Sequence, residues 1–157
     1  DVGCGQGRTL ATLLGAGHDV IGVDPSTTMV SQASHRNRHA IAAGRAHVVH
    51  SDGRTIPLPD GSVDAALTTH TVYFMPDLAT TLTEVARVLR PAGRLIIVCH
   101  VGDDPLPPWA DPSVYRPPMT GDLISMLDTA GFAHADVVAR DPTSWPTLWF
   151  EAVRATP

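Results

Sequence analysis

Three glycines, Gly3, Gly5 and Gly7, stand in the run DVGCGQG at 1–7. Glycine has no side chain and tolerates positive φ, so this spacing suits a turn whose backbone must approach a ligand closely. The segment that follows, 8–14, reads as a helix ending near Gly15 and Gly17, and its first N–H groups would add oriented donors. The pattern is G-x-G-x-G. Arg8 stands where the dinucleotide fingerprint G-x-G-x-x-G needs its third glycine, which weighs against a nicotinamide cofactor. A plain structural turn remains the alternative for the loop alone.

Asp24 follows the next apolar run about 20 residues on, the distance at which a carboxylate can accept from both hydroxyls of a ribose. It can also cap the next helix together with Ser26, and the two roles are compatible. Asp52, beside Gly53, could accept from an exocyclic amine or serve as an ordinary turn aspartate. His70 and His100 are the candidate proton acceptors, because histidine titrates near neutral pH; otherwise they shape a pocket or bond the backbone. Tyr73, Trp109 and Tyr115 could wall an aromatic acceptor site or simply pack. His35 and His39 stand i, i+4 without an evident third ligand, so we expect a solvated surface and no metal. The pair Asp103 and Asp104 could face a cationic acceptor, although a solvated loop explains it as well.

Alternating elements would position these residues. Strands are expected at 19–23, 45–51, 62–69 and 94–99, a helix from Ser26 to about Ala42, and another opened by Asp77 and stopped by Pro91, Ala92 and Gly93. Residues 95–98, LIIV, form a nearly continuous apolar run, as a strand covered on both faces should. Six prolines fall between Val101 and Pro118, where no period survives; this is a loop or lid. A last helix at 120–130 and strands near 134–139 and 147–154 complete the chain. Such alternation predicts an α/β fold with a mainly parallel sheet and helices on both faces. Ligands in that class sit beyond the carboxyl ends of the strands, where Gly3 to Gly7, Asp24, Asp52, Thr69 to Tyr73 and His100 to Asp104 fall.

The chain has 157 residues, 43% of them apolar, which is enough to bury one core, so a single domain over 1–157 is expected. Charged residues are 17% and the net charge is −5, so no basic field exists to attract nucleic acid or anionic lipid, and a small-molecule partner is expected. Two cysteines, Cys4 and Cys99, are too few for a disulfide framework and read as reduced thiols of a cytoplasmic protein. No apolar run nears the roughly 20 residues that span a bilayer.

Four segments in order, DVGCGQG at 1–7, GVDPSTTM at 22–29, SDGRTIPLPDGSVD at 51–64 and EVARVLRPAG at 84–93, resemble the class I S-adenosylmethionine-dependent methyltransferases. Among these they are similar to the type 11 group that includes ubiquinone and menaquinone biosynthesis enzymes. The resemblance implies a Rossmann-like doubly wound sheet with an antiparallel last strand. It further implies that Asp1 and the backbone of Gly3, Cys4, Gly5 and Gly7 hold the methionine part of S-adenosylmethionine. Asp24 and Pro25 would meet the ribose, Met29 would pack on the adenine, and Asp52 with Gly53 would read the adenine edge. Thr69 and His70 would lie near the sulfonium. The family has a helix and a full first strand ahead of its glycine loop, so the sequence is expected to be part of a longer chain with its first strand largely missing. Methyl transfer to a small molecule at O, N or C is the leading expectation. A binding protein without turnover, or less readily a nicotinamide-dependent oxidoreductase, is the alternative.

Overall fold

A computed structural model of the protein describes residues 1–103, 105–106, 108–141 and 146–156. Within the expected lid, Asp104 and Pro107 therefore lie outside the described residues. The chain divides into two compact units, Asp1–Pro57 and Leu58–Pro157.

In the first unit, β1 (Val20–Asp24) and β2 (Ala46–His50) pair in parallel, and Val2 makes a parallel bridge to Val23. Helix α1 (Arg8–Gly15) places Leu10, Leu13 and Leu14 at i, i+3, i+4, and this face packs on Cys4, Val20, Ala33 and Val48. The helix can lie this close because Gly22 has no side chain: a Cβ there would stand 2.8 Å from Leu10 Cδ2 and 2.9 Å from Cys4 Sγ. Helix α2 (Thr27–Arg36) begins at Ser26, whose hydroxyl accepts from the Met29 N–H at 3.3 Å.

The helix expected to run to Ala42 is broken at Asn37, and a short α3 (Arg38–Ala42) follows. The break has a local cause. Asn37 is buried, and its Nδ2 donates to the Ala33 carbonyl at 2.9 Å and the Gly7 carbonyl at 3.1 Å. Side-chain amides that bond nearby backbone compete with helix continuation.

The second unit holds four strands in the order β3-β4-β6-β5, where β3 is Val63–Thr69, β4 is Leu89–Cys99, β5 is Phe132–Arg140 and β6 is Leu148–Arg154. Strands β3 and β4 run parallel, while β6 is antiparallel to both its neighbours, so the expected single reversal falls on the last strand. Helix α4 (Leu78–Val88) is capped by Asp77, whose carboxylate accepts from the Thr80 N–H, and it buries Leu82, Val85, Ala86 and Val88. Helix α5 (Thr120–Thr129) buries Leu123 and Leu127.

One boundary differs from expectation. Pairing with β3 begins at Leu89, ahead of Pro91, Ala92 and Gly93, which the sequence places before the strand, and the register jumps from Val63↔Leu89 to Ala65↔Arg94. The extra residues leave the ladder as a bulge with Ala92 at φ 60°. Glycine is needed at 93, where a Cβ would meet the Arg90 carbonyl oxygen at 2.8 Å. A 3-10 turn, Val72–Phe74, which periodicity did not reveal, follows β3.

Candidate active site

The residues expected to meet the cofactor, Thr69 and His70 aside, lie in the first unit. Gly3, Gly5 and Gly7 all adopt positive φ, as a close-approach turn requires. The turn is tied to β1: Gly3 and Cys4 N–H groups donate to the Val23 carbonyl at 2.8 and 3.0 Å, and the Asp1 nitrogen donates to Ile21 at 2.8 Å. Asp24, only 7% exposed, uses both carboxylate oxygens, accepting from Gly5 N–H at 2.8 Å and Ser26 N–H at 2.9 Å. Two residues that spacing alone linked are thus in direct contact. Each oxygen keeps a lone pair, so the carboxylate is oriented rather than exhausted.

Gly5 faces open space where a Cβ would point, whereas Gly7 is packed. A Cβ on Gly7 would stand 2.6 Å from Asn37 Nδ2 and 3.0 Å from Ala33, at φ 73°. Gly7→Ala should therefore cost about 2 kcal/mol or more, from the left-handed backbone and the overlap together. Urea unfolding measures it, and an unchanged midpoint would show that the Asn37 clamp yields freely.

Asp1 Oδ2 is buried with no hydrogen-bond partner among the described residues. An unsatisfied buried carboxylate oxygen beside a glycine turn is where a ligand donor is expected. Cys4 turns its thiol into the core, where burial and the Asp24 charge push its pKa up to about 11, so only its backbone belongs to the loop. Met29 is half-buried on the first turn of α2, and the Pro25 carbonyl accepts from His50 Nε2 at 2.9 Å. The Ser51 N–H donates to the Asp24 carbonyl at 3.1 Å, joining the ends of β1 and β2.

Asp52 is more engaged than its spacing implied. Arg54 Nε and Nη2 donate to its Oδ2 at 2.8 and 2.6 Å, and the Arg54 N–H to Oδ1 at 3.0 Å. These bonds hold the Asp52 carboxyl below the usual range. Gly53, at φ 82°, donates its N–H to Ser51 Oγ.

The candidate bases and aromatic wall residues lie in the second unit. His70 closes β3 in a left-handed conformation, φ 53°, with its N–H donated to the Val98 carbonyl at 2.7 Å. Thr69 accepts from Thr71 Oγ1 at 3.0 Å across the same turn. His70, Tyr73, Phe74, His100, Trp109 and Tyr115 line an open pocket of about 600 Å³. Tyr73 is 1% exposed and stacks on Tyr115 at 4.1 Å, with Phe74 edge-on to both. Trp109, 71% exposed, meets Tyr115 edge-on at 6.1 Å.

The two histidine rings are 4.9 Å apart. His100 Nδ1 lies 3.1 Å from the Pro146 carbonyl, which only accepts, so that nitrogen carries the proton. Burial, aided by the neighbouring His100, pulls the His70 pKa down from 6.5, keeping its ring neutral around pH 7. Cys99, buried and pushed up to about 12, is no nucleophile.

Of the acidic pair read as a solvated loop or a contact for a cationic acceptor, Asp103 is exposed and its carboxylate caps α5 through the Thr120 N–H and hydroxyl, and Asp104 lies outside the described residues. His35 and His39 are exposed, and no cluster of three metal-binding side chains occurs among the described residues. Another groove, of about 430 Å³ along α4 and α5, holds none of the expected site residues. The residues missed were Asn37 and Arg36, which bond Gly7 and Gln6 carbonyls, and Arg54 and Phe74. An asparagine inside a helical run was the available signal for the first.

Comparison with known families bears directly on this arrangement. Residues 1–97 match the family model described as "Methyltransferase domain", type 11. The chain belongs to that family. The methyltransferase domain is 34% identical over 146 residues to an O-methyltransferase of Penicillium expansum, covering 87% of this chain and 52% of that protein. It is 32% identical over 157 residues to the demethylmenaquinone methyltransferase of Corynebacterium kroppenstedtii, covering 100% of this chain and 60% of that protein. The chain thus spans little more than half the length of these relatives. The YcgJ protein of Bacillus subtilis shares the Rossmann-like α/β fold, with a TM-score of 0.85 at 18% identity over 100% of this chain and 91% of its own. Among the described residues, no helix of the methyltransferase domain is long and apolar enough to cross a membrane.

Proposed function

We propose that the protein to which this domain belongs is a cytoplasmic enzyme that transfers a methyl group from S-adenosylmethionine to a hydroxyl of a small, largely aromatic acceptor. The observation that carries this reading is a pocket lined by two histidines and four aromatic rings in a methyltransferase-family chain. The names of two relatives, an O-methyltransferase and a quinone-pathway methyltransferase, support the acceptor chemistry.

The first unit has features that fit S-adenosylmethionine. The unsatisfied Asp1 Oδ2 suits the ammonium end, and the open side of Gly5 leaves room against the backbone. Asp24 would accept from the ribose, Met29 would cover the adenine, and Asp52 with Gly53 would meet its edge in competition with Arg54. When bound, S-adenosylmethionine supplies an electrophilic methyl on a good leaving group, so no metal is required.

What remains for the protein is alignment, exclusion of water and removal of one proton. Tyr73, Phe74, Trp109 and Tyr115 would orient the acceptor and keep it dry. The acceptor hydroxyl proton would pass to a ring nitrogen of His70 as the oxygen gains the methyl.

The test is transfer of labelled methyl by the full-length protein to hydroxylated aromatics, amines and carbon acids across a pH series. The hydroxyl acceptors should be labelled. The rate should fall on the acid side with a midpoint below 6.5, because the base must be neutral and burial lowers its pKa from that ordinary value. Binding of S-adenosylhomocysteine with no methyl release to any acceptor would instead favour a binding protein. Affinity for NADH and none for S-adenosylmethionine would favour an oxidoreductase.

A further inference from the structure

Two large aromatic rings of the second unit stand open to solvent: Phe74 is 50% and Trp109 71% exposed. A single exposed ring carries no meaning, but both of these open onto the same cavity of about 600 Å³, together with the exposed Val114. The rings are also arranged. Phe74 and Trp109 each stand nearly perpendicular to Tyr115, at 88° and 78°, with centroids 5.5 and 6.1 Å away. Tyr115 is backed by Tyr73 at 4.1 Å, whose hydroxyl lies 2.6 Å from His70 Nδ1.

Charge decides which ligands such a set of rings takes. Among the described residues that line the cavity, Asp111 is the one aspartate or glutamate, and no lysine or arginine stands there. Arg116, next to Tyr115 in the chain, is exposed and does not line it. An aspartate is ionised at neutral pH. Asp111 Oδ1 accepts the Ser113 N–H and hydroxyl at 2.9 and 2.7 Å, which ties the carboxylate to its turn. Its Oδ2 takes no hydrogen bond from the described residues.

An anionic ligand would meet a like charge there and no fixed cation to hold it. A neutral ligand would gain from the apolar walls alone. A cation gains twice more, since the face of an aromatic ring is the negative side of its quadrupole and the carboxylate attracts it as well. We propose that this cavity recognises a cation: the acceptor carries, besides its hydroxyl, a substituted ammonium group that lies against Trp109 and Phe74 with Asp111 as its counter-ion.

The proposal rests on the hydroxyl-acceptor reading and narrows it to hydroxylated aromatics with a positively charged side chain. It also moves a role within one loop. The contact with a cationic acceptor that the sequence offered to Asp103 falls to Asp111, because the Asp103 carboxylate is engaged with Thr120 at the start of α5. The ammonium group binds and takes no part in the transfer.

The experiment uses the full-length protein and three phenols that differ at one end: one with a trimethylammonioethyl chain, its neutral tert-butylethyl isostere, and the carboxyethyl phenol. A quaternary nitrogen has no lone pair to methylate, so any label must enter the hydroxyl. Affinity is read by calorimetry in the presence of S-adenosylhomocysteine, and KM from transfer of labelled methyl. The ammonium phenol should bind about fivefold or more tighter than its isostere, a modest ratio because the rings and the carboxylate are exposed, and the carboxylate phenol should bind weakest. Asp111→Asn keeps an oxygen for Ser113 and removes the charge; Trp109→Leu removes an exposed ring. Each should reduce the preference for the ammonium phenol about twofold or more.

Equal affinity for the ammonium phenol and its isostere in the wild type overturns the proposal, and that measurement needs no variant to fold. A preference that both variants keep in full overturns it too, since the cation then binds elsewhere. Phenols that are all labelled with no regard to charge would leave the hydroxyl reading standing and remove the cation site. Tighter binding of the ammonium phenol with no label in any phenol would do the reverse.

Discussion

Replacing His70 with alanine in the full-length protein is expected to lower the single-turnover methyl-transfer rate by roughly 10²- to 10⁴-fold, the range in which a positioned general base contributes. S-adenosylhomocysteine affinity should change far less, because the contacts proposed for its ammonium, ribose and adenine come from the first unit. Alanine also changes the backbone preference at φ 53° and strands the Tyr73 hydroxyl, so the chemistry is better isolated by His70→Asn. Asparagine tolerates the left-handed region and keeps a polar partner for Tyr73, yet accepts no proton near neutral pH. Similar rate losses in both variants, with unfolding midpoints close to wild type for the asparagine form, assign the loss to the missing base. His100→Ala should slow transfer much less and raise the pKa of His70, since a neighbour that opposes its charge is gone. A His70→Asn enzyme with the wild-type rate would reduce His70 to a wall of the pocket.

The features legible in the sequence were those carried by short-range patterns. The glycine spacing at 3, 5 and 7 announced positive φ, and each of those residues has it. Asp24 was found by counting from the loop, and it proves to bond Gly5 directly. The parallel strands, the Asp77 cap and the reversed last strand followed from alternation and from the family resemblance. Contacts between residues far apart in the chain were not legible. Asn37 reaches Gly7 over 30 positions, and a run of histidine, arginine and asparagine reads as solvated surface when only its polarity is visible. The bulge in β4 was hidden because proline, alanine and glycine in succession signal a stop equally well whether the chain leaves the sheet or merely bows out of it.

The acceptor pocket shows the same division. The positions of His70 and His100 just past strand ends could be read, but their ring geometry could not. Tyr73 looked like a wall because its spacing shows only that it can pack, while its 2.6 Å contact with His70 Nδ1 depends on how the turn after β3 folds. Arg54 is the opposite case: it lies two residues from Asp52, and spacing alone does not say whether an arginine there bonds the carboxylate or extends into solvent.

The second large effect is expected at Asp24. Asp24→Ala should weaken S-adenosylhomocysteine binding at least tenfold, about 1.4 kcal/mol, and should also destabilise the fold. The second effect follows from geometry: the carboxylate is 7% exposed and satisfies the Gly5 and Ser26 N–H groups. Stranding partly buried donors costs about 1–3 kcal/mol each where water cannot reach them. A loss of affinity alone would therefore leave two explanations, a missing ribose contact or a glycine loop that has lost its anchor. Ligand analogues separate them. Wild-type protein should bind the analogue lacking both ribose hydroxyls about tenfold more weakly than S-adenosylhomocysteine, whereas Asp24→Ala should bind the two alike, since the group that told them apart is gone. If the variant still discriminates as the wild type does, Asp24 acts only through the loop. If affinity does not change at all, Asp24 stands outside the cofactor site, and its bond to Gly5 is purely architectural.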